Sequence, residues 1–344
     1  MSSLQISLLV AGGVTLLAVV LYNQWVSRRS APRQAEMVQE PAPGEPLDTP
    51  GDSPVEPVLE DDFRNLPQPE RKPVLDALID VILTIEVDQP VSGDAALAAL
   101  PATRRVGTKP FHVEGCSELS GEWETLMPGR RYSAFQAGVQ LANRMGPLNE
   151  IEFSEFVVKT QAFADAVGGA PGFADMLEEV ARARELDQFA SAHDAQLSFT
   201  LLARAAAWSP GFVHQHAARL GFVAGVIPGR MVLPAATQGL PPVLSLTFDT
   251  QAALADDPAL SAVRECTLSL DVPQVPRGDA PFDRLRQAAQ LLAEQMDGVI
   301  TDGSGQILSP EVMQQIGQDL QELYDALDSR ELAAGSAQAR RLFA

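Results

Sequence analysis

The chain opens with a run that carries no charged side chain, from Ile6 to Val26. As a helix, this run would be about 30 Å long, which is the thickness of the hydrocarbon core of a bilayer. A secretory signal peptide has its positive charge before the apolar run, whereas here Arg28 and Arg29 follow it. The pattern favours a transmembrane anchor over residues 1–27 rather than a signal peptide or a buried core helix.

The two arginines also predict an orientation for this anchor. Positively charged flanks of a membrane helix tend to stay in the cytoplasm. The N-terminus is therefore expected outside the membrane, and everything after Arg28 is expected in the cytoplasm.

The overall charge narrows the classes of partner. The formal net charge is −20, with 45 acidic residues against 25 basic ones. Such a surface repels phosphate backbones, so we expect no nucleic-acid binding. The two cysteines, Cys116 and Cys266, are far apart in the sequence and form no CxxC pair, which is typical of free thiols in a reducing compartment.

Residues 28–73 differ in composition from the rest of the chain. They are rich in proline and acidic side chains and poor in aliphatic ones. A segment of this kind cannot bury enough apolar surface to offset the entropy that it would lose on ordering. The sequence therefore predicts a disordered linker over residues 28–73, and a folded part that begins near Val74.

From Val74 onward, strand-like and helix-like patterns alternate, as is typical of the α+β class. Among the predicted strands are residues 79–87, 153–163 and 196–205, and helices are predicted at residues 173–189, 282–298 and 309–327. The last residues, 329–344, are predicted to form a disordered tail.

The folded part is predicted to be a degenerate duplication with halves at residues 74–193 and 194–328. A similar order of strands and helices recurs in both halves. The clearest trace aligns residues 185–198, ELDQFASAHDAQLS, with residues 295–309, QMDGVITDGSGQILS.

One stretch of the second half resembles a known family. ECTLSLDVPQV (265–275), followed by the segment from Phe282 to Leu323, is similar to the C-terminal domain of the ZipA family of bacterial cell division proteins. A Leu-Asp-Val-Pro strand ending and a Ser-Pro helix start carry the resemblance, together with the order of elements. Weaker similarity extends back to residue 196.

The resemblance implies a fold and a function. It implies a split β-α-β domain, in which helices cover one face of an antiparallel sheet and the bare face binds the C-terminal tail peptide of FtsZ, a tubulin-like division polymer. It also implies a single-pass tether at the division site of the bacterial inner membrane, with a periplasmic N-terminus. The partners expected are the FtsZ tail and, through the N-terminal helix, the inner membrane.

The resemblance also implies which residues of the sheet face the partner. Positions that match the partner-binding groove of the family come from four strands. They are Leu197, Phe199, Ile227, Gly229, Thr247 and Ser269. Thr247 and Ser269 stand where the family has apolar residues, so this groove is expected to be shallower and more polar.

No motif of the chain predicts catalysis. His214 and His216 lie two apart on a predicted helix, so they point in different directions, and no further ligand completes a metal set. Ser117, Cys116 and His112 show no nucleophile elbow or triad order. We therefore expect no catalytic residue, cofactor, metal or small-molecule substrate. The alternative hypothesis is a membrane-anchored enzyme, or a scaffold, with a site between the two α+β halves.

Overall fold

The computed structural model describes residues 32–35, 74–255, 257 and 261–344. The predicted anchor, residues 1–27, and most of the predicted linker lie outside this part of the chain. Within the described ranges, no helix combines the length and the apolarity that crossing a bilayer requires.

The described residues divide into two compact units. The N-terminal unit comprises residues 74–192 and 341–344, and the C-terminal unit comprises residues 193–340 with residues 32–35. Each unit contains an antiparallel sheet and packed helices, so the predicted α+β class is confirmed.

The N-terminal unit is built on a sheet with the strand order β2-β3-β5-β1-β8, in which β4 pairs with β3. All neighbouring strands of this sheet are antiparallel. The sheet contains β1 (Asp80–Ser92), β2 (Arg105–Val106), β3 (Lys109–Ser117), β4 (Trp123–Thr125), β5 (Arg131–Gln140) and β8 (Gly169–Pro171). Two further short strands, β6 (Ala142–Asn143) and β7 (Gly146–Pro147), pair only with each other among the described strands. The helices of this unit are α1 (Gly93–Ala99), α2 (Glu150–Val167) and α3 (Met176–His193).

The C-terminal unit is built on a sheet with the strand order β10-β11-β12-β13-β9-β14, again antiparallel throughout. Its strands are β9 (Gln196–Ala203), β10 (Val223–Ala224), β11 (Arg230–Leu233), β12 (Leu244–Phe248), β13 (Glu265–Asp271) and β14 (Gly298–Thr301). Its helices are α4 (Pro210–Arg219), α5 (Thr250–Ala253), α6 (Pro281–Met296) and α7 (Pro310–Ser329). The last helix, α8 (Ala337–Leu342), spans the division at residues 340 and 341.

The two units share one arrangement of their main elements. In the N-terminal unit the adjacent strands β3-β5-β1-β8 follow the same order as β12-β13-β9-β14 in the C-terminal unit. In both units a helix leads directly into the edge strand. Helix α2 ends at Gly168 before β8, and α6 ends at Asp297 before β14; both capping residues are in the left-handed conformation, with φ of 69° and 56°.

This arrangement corrects two sequence-based predictions. Residues 153–163 are helical, inside α2, and not a strand. The helix is specified by a capping box: the Asn149 side chain accepts from the backbone N–H of Ile151 and Glu152, and the Glu152 carboxylate accepts from the Asn149 N–H. The alignment of 185–198 with 295–309 is also wrong, because it sets the end of α3 against the end of α6, whereas in strand order α2 corresponds to α6.

The prediction of disorder for the linker and for the tail is also corrected where the structure describes these two segments. In the tail, α8 forms and Leu332, Ala339, Leu342 and Phe343 are buried. In the linker, the Arg33 N–H donates to the Ala207 carbonyl at 2.7 Å, and its guanidinium pairs with Asp297 at 2.9 Å. Both segments therefore gain the packing and hydrogen bonds that their composition alone does not reveal.

Candidate functional site

The sheet of the C-terminal unit has one face covered by helices. Along β9, β12 and β13, alternate side chains enter a single core together with residues of α4, α6 and α7. The buried strand residues on this side include Phe199, Leu201, Leu244, Leu246, Phe248, Cys266, Leu268 and Leu270. The opposite set of side chains forms what we call the open face.

The open face carries two rows of small side chains with hydroxyl groups, one of serines and one of threonines. Ser245 pairs with Ser269 and Ser269 with Ser198, and the next row is Thr247, Thr267 and Thr200. The Ser198 and Ser269 hydroxyls are 3.3 Å apart. All six side chains are half-buried or exposed. The face is therefore shallow and polar at its centre.

A first cavity of about 330 Å³ lies at one end of the open face. Its lining includes Gln196, Ser198, Ser269 and Asp271 from β9 and β13, together with Pro242 from the loop before β12. Gln196 and Asp271 are directly paired across these two strands. This end of the face presents both an amide and a carboxylate.

A second cavity of about 620 Å³ adjoins the first, since Arg230 and Pro242 line both. Its walls come from the turn between β10 and β11, from β11 and from the loop over residues 234–242. Val226, Ile227, Val232 and Leu240 supply apolar surface, and Val226 and Ile227 rank among the exposed large apolar residues. An exposed apolar concavity with a charged group at its rim is typical of a binding site.

Four of the six sequence-predicted residues lie on the open face or line one of the two cavities. Thr247 and Ser269 lie on the open face, and Ser269 also lines the first cavity. Ile227 lines the second cavity and is 53% exposed. Leu197 is half-buried against the core, yet it reaches the lining of the first cavity.

Two predicted residues have other roles. Phe199 is 2% exposed and packs in the core near Phe282, with ring centroids 6.3 Å apart, so its assignment to the groove is corrected. Because side chains alternate along β9, Phe199 faces the helices and its neighbours Ser198 and Thr200 face outward. Gly229 adopts φ +78°, and an added Cβ would lie 2.7 Å from the Phe248 carbonyl oxygen, so it shapes the turn into β11.

Sequence reasoning missed the residues that connect the two cavities. Arg230 and Val232 alternate along β11 with the core residue Met231, so they lie on the open face. The alternation of outward-facing and core-facing positions along the sequence Arg-Met-Val-Leu could have identified both residues. The loop over residues 234–242 gave no such signal, because its wall is formed by tertiary placement of small residues and prolines.

Comparison with known families matches one part of this unit. Residues 256–319 match the family model of the ZipA C-terminal FtsZ-binding domain. The matched range includes β13, α6, β14 and the first half of α7. It supports a ZipA-like protein and leaves β9, β11 and β12 outside the match. No curated protein matches the chain.

Proposed function

We propose that this protein binds the C-terminal tail of FtsZ through the open face of the C-terminal unit and links FtsZ filaments to the inner membrane during septation. The observation that carries the proposal is the family match over residues 256–319, which falls in the unit whose sheet has one face that none of the described helices covers. A tail peptide laid along this face would place apolar side chains against Ile227 and Val232 in the second cavity.

The chemistry of the face suits a peptide of mixed character. The second cavity offers apolar surface, and the first offers an amide and a carboxylate beside a hydroxyl row. Arg230 stands at the junction, and no acidic side chain of the described residues forms an ion pair with its guanidinium within 4.0 Å. A carboxylate on the peptide could therefore pair with Arg230 at the boundary between the two cavities.

The membrane part of the proposal rests on the sequence of residues 1–27. Arg33 is bound to the C-terminal unit through Ala207 and Asp297. If the anchor ends at residue 27, the chain from there to Arg33 can span at most about 20 Å. The proposed anchor would then hold the C-terminal unit close to the membrane surface, because the chain between them is only the short stretch up to Arg33 and not the whole linker over residues 28–73.

An enzyme would need titratable side chains that converge in a cavity. Among the described lining residues of the two cavities, the charged side chains are Arg230 and Asp271. This composition favours the binding proposal over the enzyme hypothesis for these cavities.

The proposal is tested by fluorescence anisotropy with a labelled FtsZ tail peptide and the full chain in detergent micelles. We expect saturable binding by the wild type and at least about a tenfold loss for Ile227→Asp, which places a charge in the apolar cavity. Ile307→Asp is the matched control, since Ile307 is 73% exposed in the same unit and does not line either cavity. Equal affinities for the two variants, or no binding by the wild type, would contradict the proposal.

A further inference from the structure

The sheet of the N-terminal unit also has a face turned away from its core. Along β1, Val81, Leu83 and Ile85 enter the core with residues of α2, so Asp80 lies on the opposite face. Along β5, Val139 enters the core and its neighbour Gln140 lies opposite. Asp80 and Gln140 are paired across the two strands, and each is 1% exposed.

The end of the chain occupies this part of the face. The Arg341 guanidinium donates to both carboxylate oxygens of Asp80, at 2.8 and 2.6 Å. The Gln140 side-chain amide donates to the Arg341 carbonyl oxygen at 2.8 Å. Both the side chain and the backbone of Arg341 are thus recognised by a strand pair.

Residues 74 and 75 complete the cover. The Val74 and Leu75 backbone N–H groups donate to the Glu114 carboxylate on β3, and the Val74 carbonyl accepts from Arg341 at 2.6 Å. The Leu75 side chain lies over Gly138, where an added Cβ would come within 2.3 Å of it. The glycine therefore makes room for this covering segment.

The two residues after Arg341 are buried as deeply as Asp80. Leu342 and Phe343 are each 1% exposed. A terminal segment made of one basic and two apolar side chains would ordinarily fray in solvent. Here a buried carboxylate binds the Arg341 side chain and a buried amide binds its backbone, which is how a built site binds a ligand.

We propose that the face of the N-terminal sheet opposite α2, which carries Asp80 and Gln140, is a peptide-binding site whose ligand is the chain's own segment Arg341–Ala344. The recognised chemistry is a basic residue, whose side chain pairs with Asp80 and whose carbonyl accepts from Gln140, followed by two buried apolar residues. The corresponding strand pair of the C-terminal unit, β9 and β13, presents Gln196 opposite Asp271 and lines a cavity instead. The same pair of strands is therefore covered by residues 341–344 in the N-terminal unit and lines a cavity in the C-terminal unit.

The test uses the full chain shortened to end at Arg340, together with a labelled peptide of residues 339–344. We expect saturable binding of the peptide by the shortened chain, and binding at least about tenfold weaker by the wild type, whose site is filled. Asp80→Asn in the shortened chain is expected to weaken binding, as is a peptide with glutamate in place of Arg341. Equal binding by the wild type and the shortened chain, or none by a shortened chain with native circular dichroism, would overturn the proposal.

A second variant covers the case in which the shortened chain does not fold. Arg341→Gln in the full chain keeps Leu342 and Phe343 but loses the ion pair, so the added wild-type peptide should compete with the weakened tail and bind. Arg330→Gln is the matched control and should bind no more peptide than the wild type. If the Arg341→Gln chain behaves like this control, the site is not a peptide site. An Arg341-dependent dimer in sedimentation would place the tail on a second copy and overturn the intrachain assignment.

Discussion

Asp80 and Arg341 form a two-point ion pair in which the Asp80 side chain is completely buried and the Arg341 side chain is 19% exposed. This pair holds Arg341 on the face of the N-terminal sheet that lies opposite α2. The equivalent face of the C-terminal unit carries exposed or half-buried serine and threonine side chains. The two sheets share the order of four adjacent strands, but a partner could reach this face only in the C-terminal unit.

Breaking this ion pair should strongly destabilise the N-terminal unit. Arg341→Ala would leave a buried carboxylate without its cation, at a cost of about 3–5 kcal/mol in the free energy of unfolding. Asp80→Asn should cost less, because the partly exposed guanidinium can turn toward water. Urea denaturation of the full chain measures both values, and a cost below about 1 kcal/mol for Arg341→Ala would contradict this account.

The same substitution should change the pH dependence of stability. Burial raises the pKa of Asp80, and Arg341 counteracts this rise. Without Arg341 the pKa should rise further, so the folded state would hold the proton more tightly than the unfolded chain, whose aspartate pKa is about 3.9. Stability would then be lost as pH rises through the folded pKa, and the deficit of Arg341→Ala relative to the wild type should shrink at acidic pH. A deficit that does not change with pH would contradict this expectation.

His112 should make the protein less stable in mild acid. Burial lowers its pKa, and Arg341 lowers it further, against the opposing effect of Asp80 and Glu114. The unfolded chain therefore takes up a proton below about pH 6.5 more readily than the folded state, and stability is lost as pH falls through this range. His112→Gln should show a smaller fall in Tm between pH 7.5 and 5.5 than the wild type. Identical falls would show that His112 does not contribute.

The two cysteines should differ in reactivity. Burial raises the pKa of Cys266 to about 12, so its thiol stays protonated and inaccessible, whereas Cys116 is only partly buried. A thiol reagent at pH 8 should modify one group in the native wild type and the second only after unfolding. Cys116→Ser should abolish the native reaction and Cys266→Ser should preserve it; the reverse pattern would contradict the structure.

Gly229 is expected to support the open face through its backbone. Gly229→Ala adds left-handed strain, about 1 kcal/mol, and a contact of 2.7 Å with the Phe248 carbonyl oxygen. Gly239→Ala is the matched control, because Gly239 has φ +86° and no heavy atom within 4 Å of the added Cβ. Thermal unfolding should show a larger loss for Gly229→Ala, and equal losses would mean that β11 shifts without cost.

Local patterns predict much of the fold. Apolar periodicity and turn residues indicate α3, α6 and α7, and Ser309 stands at the expected N-cap, where it accepts from the Val312 N–H. Helix α2 is missed because its phenylalanine and valine side chains, typical of strands, outweigh the Asn149–Glu152 capping signal. That single error also misaligns the two halves.

The site is less predictable than the fold. Which face of β9 is covered depends on register, and the alternation that buries Phe199 has to be read from the packed structure. The binding of Arg341 joins residues more than 250 positions apart, and no local pattern encodes such a contact. Composition alone therefore assigns the tail wrongly.

The central claim is that the open face of the C-terminal unit binds the FtsZ tail while the corresponding face of the N-terminal unit is filled. Hydrogen exchange of the full chain with and without saturating FtsZ tail peptide tests it most directly, with a scrambled peptide as control. The account predicts slower exchange in β11, β12 and residues 234–242, and no change in β1 or β5. Slower exchange confined to β1 and β5 would contradict it.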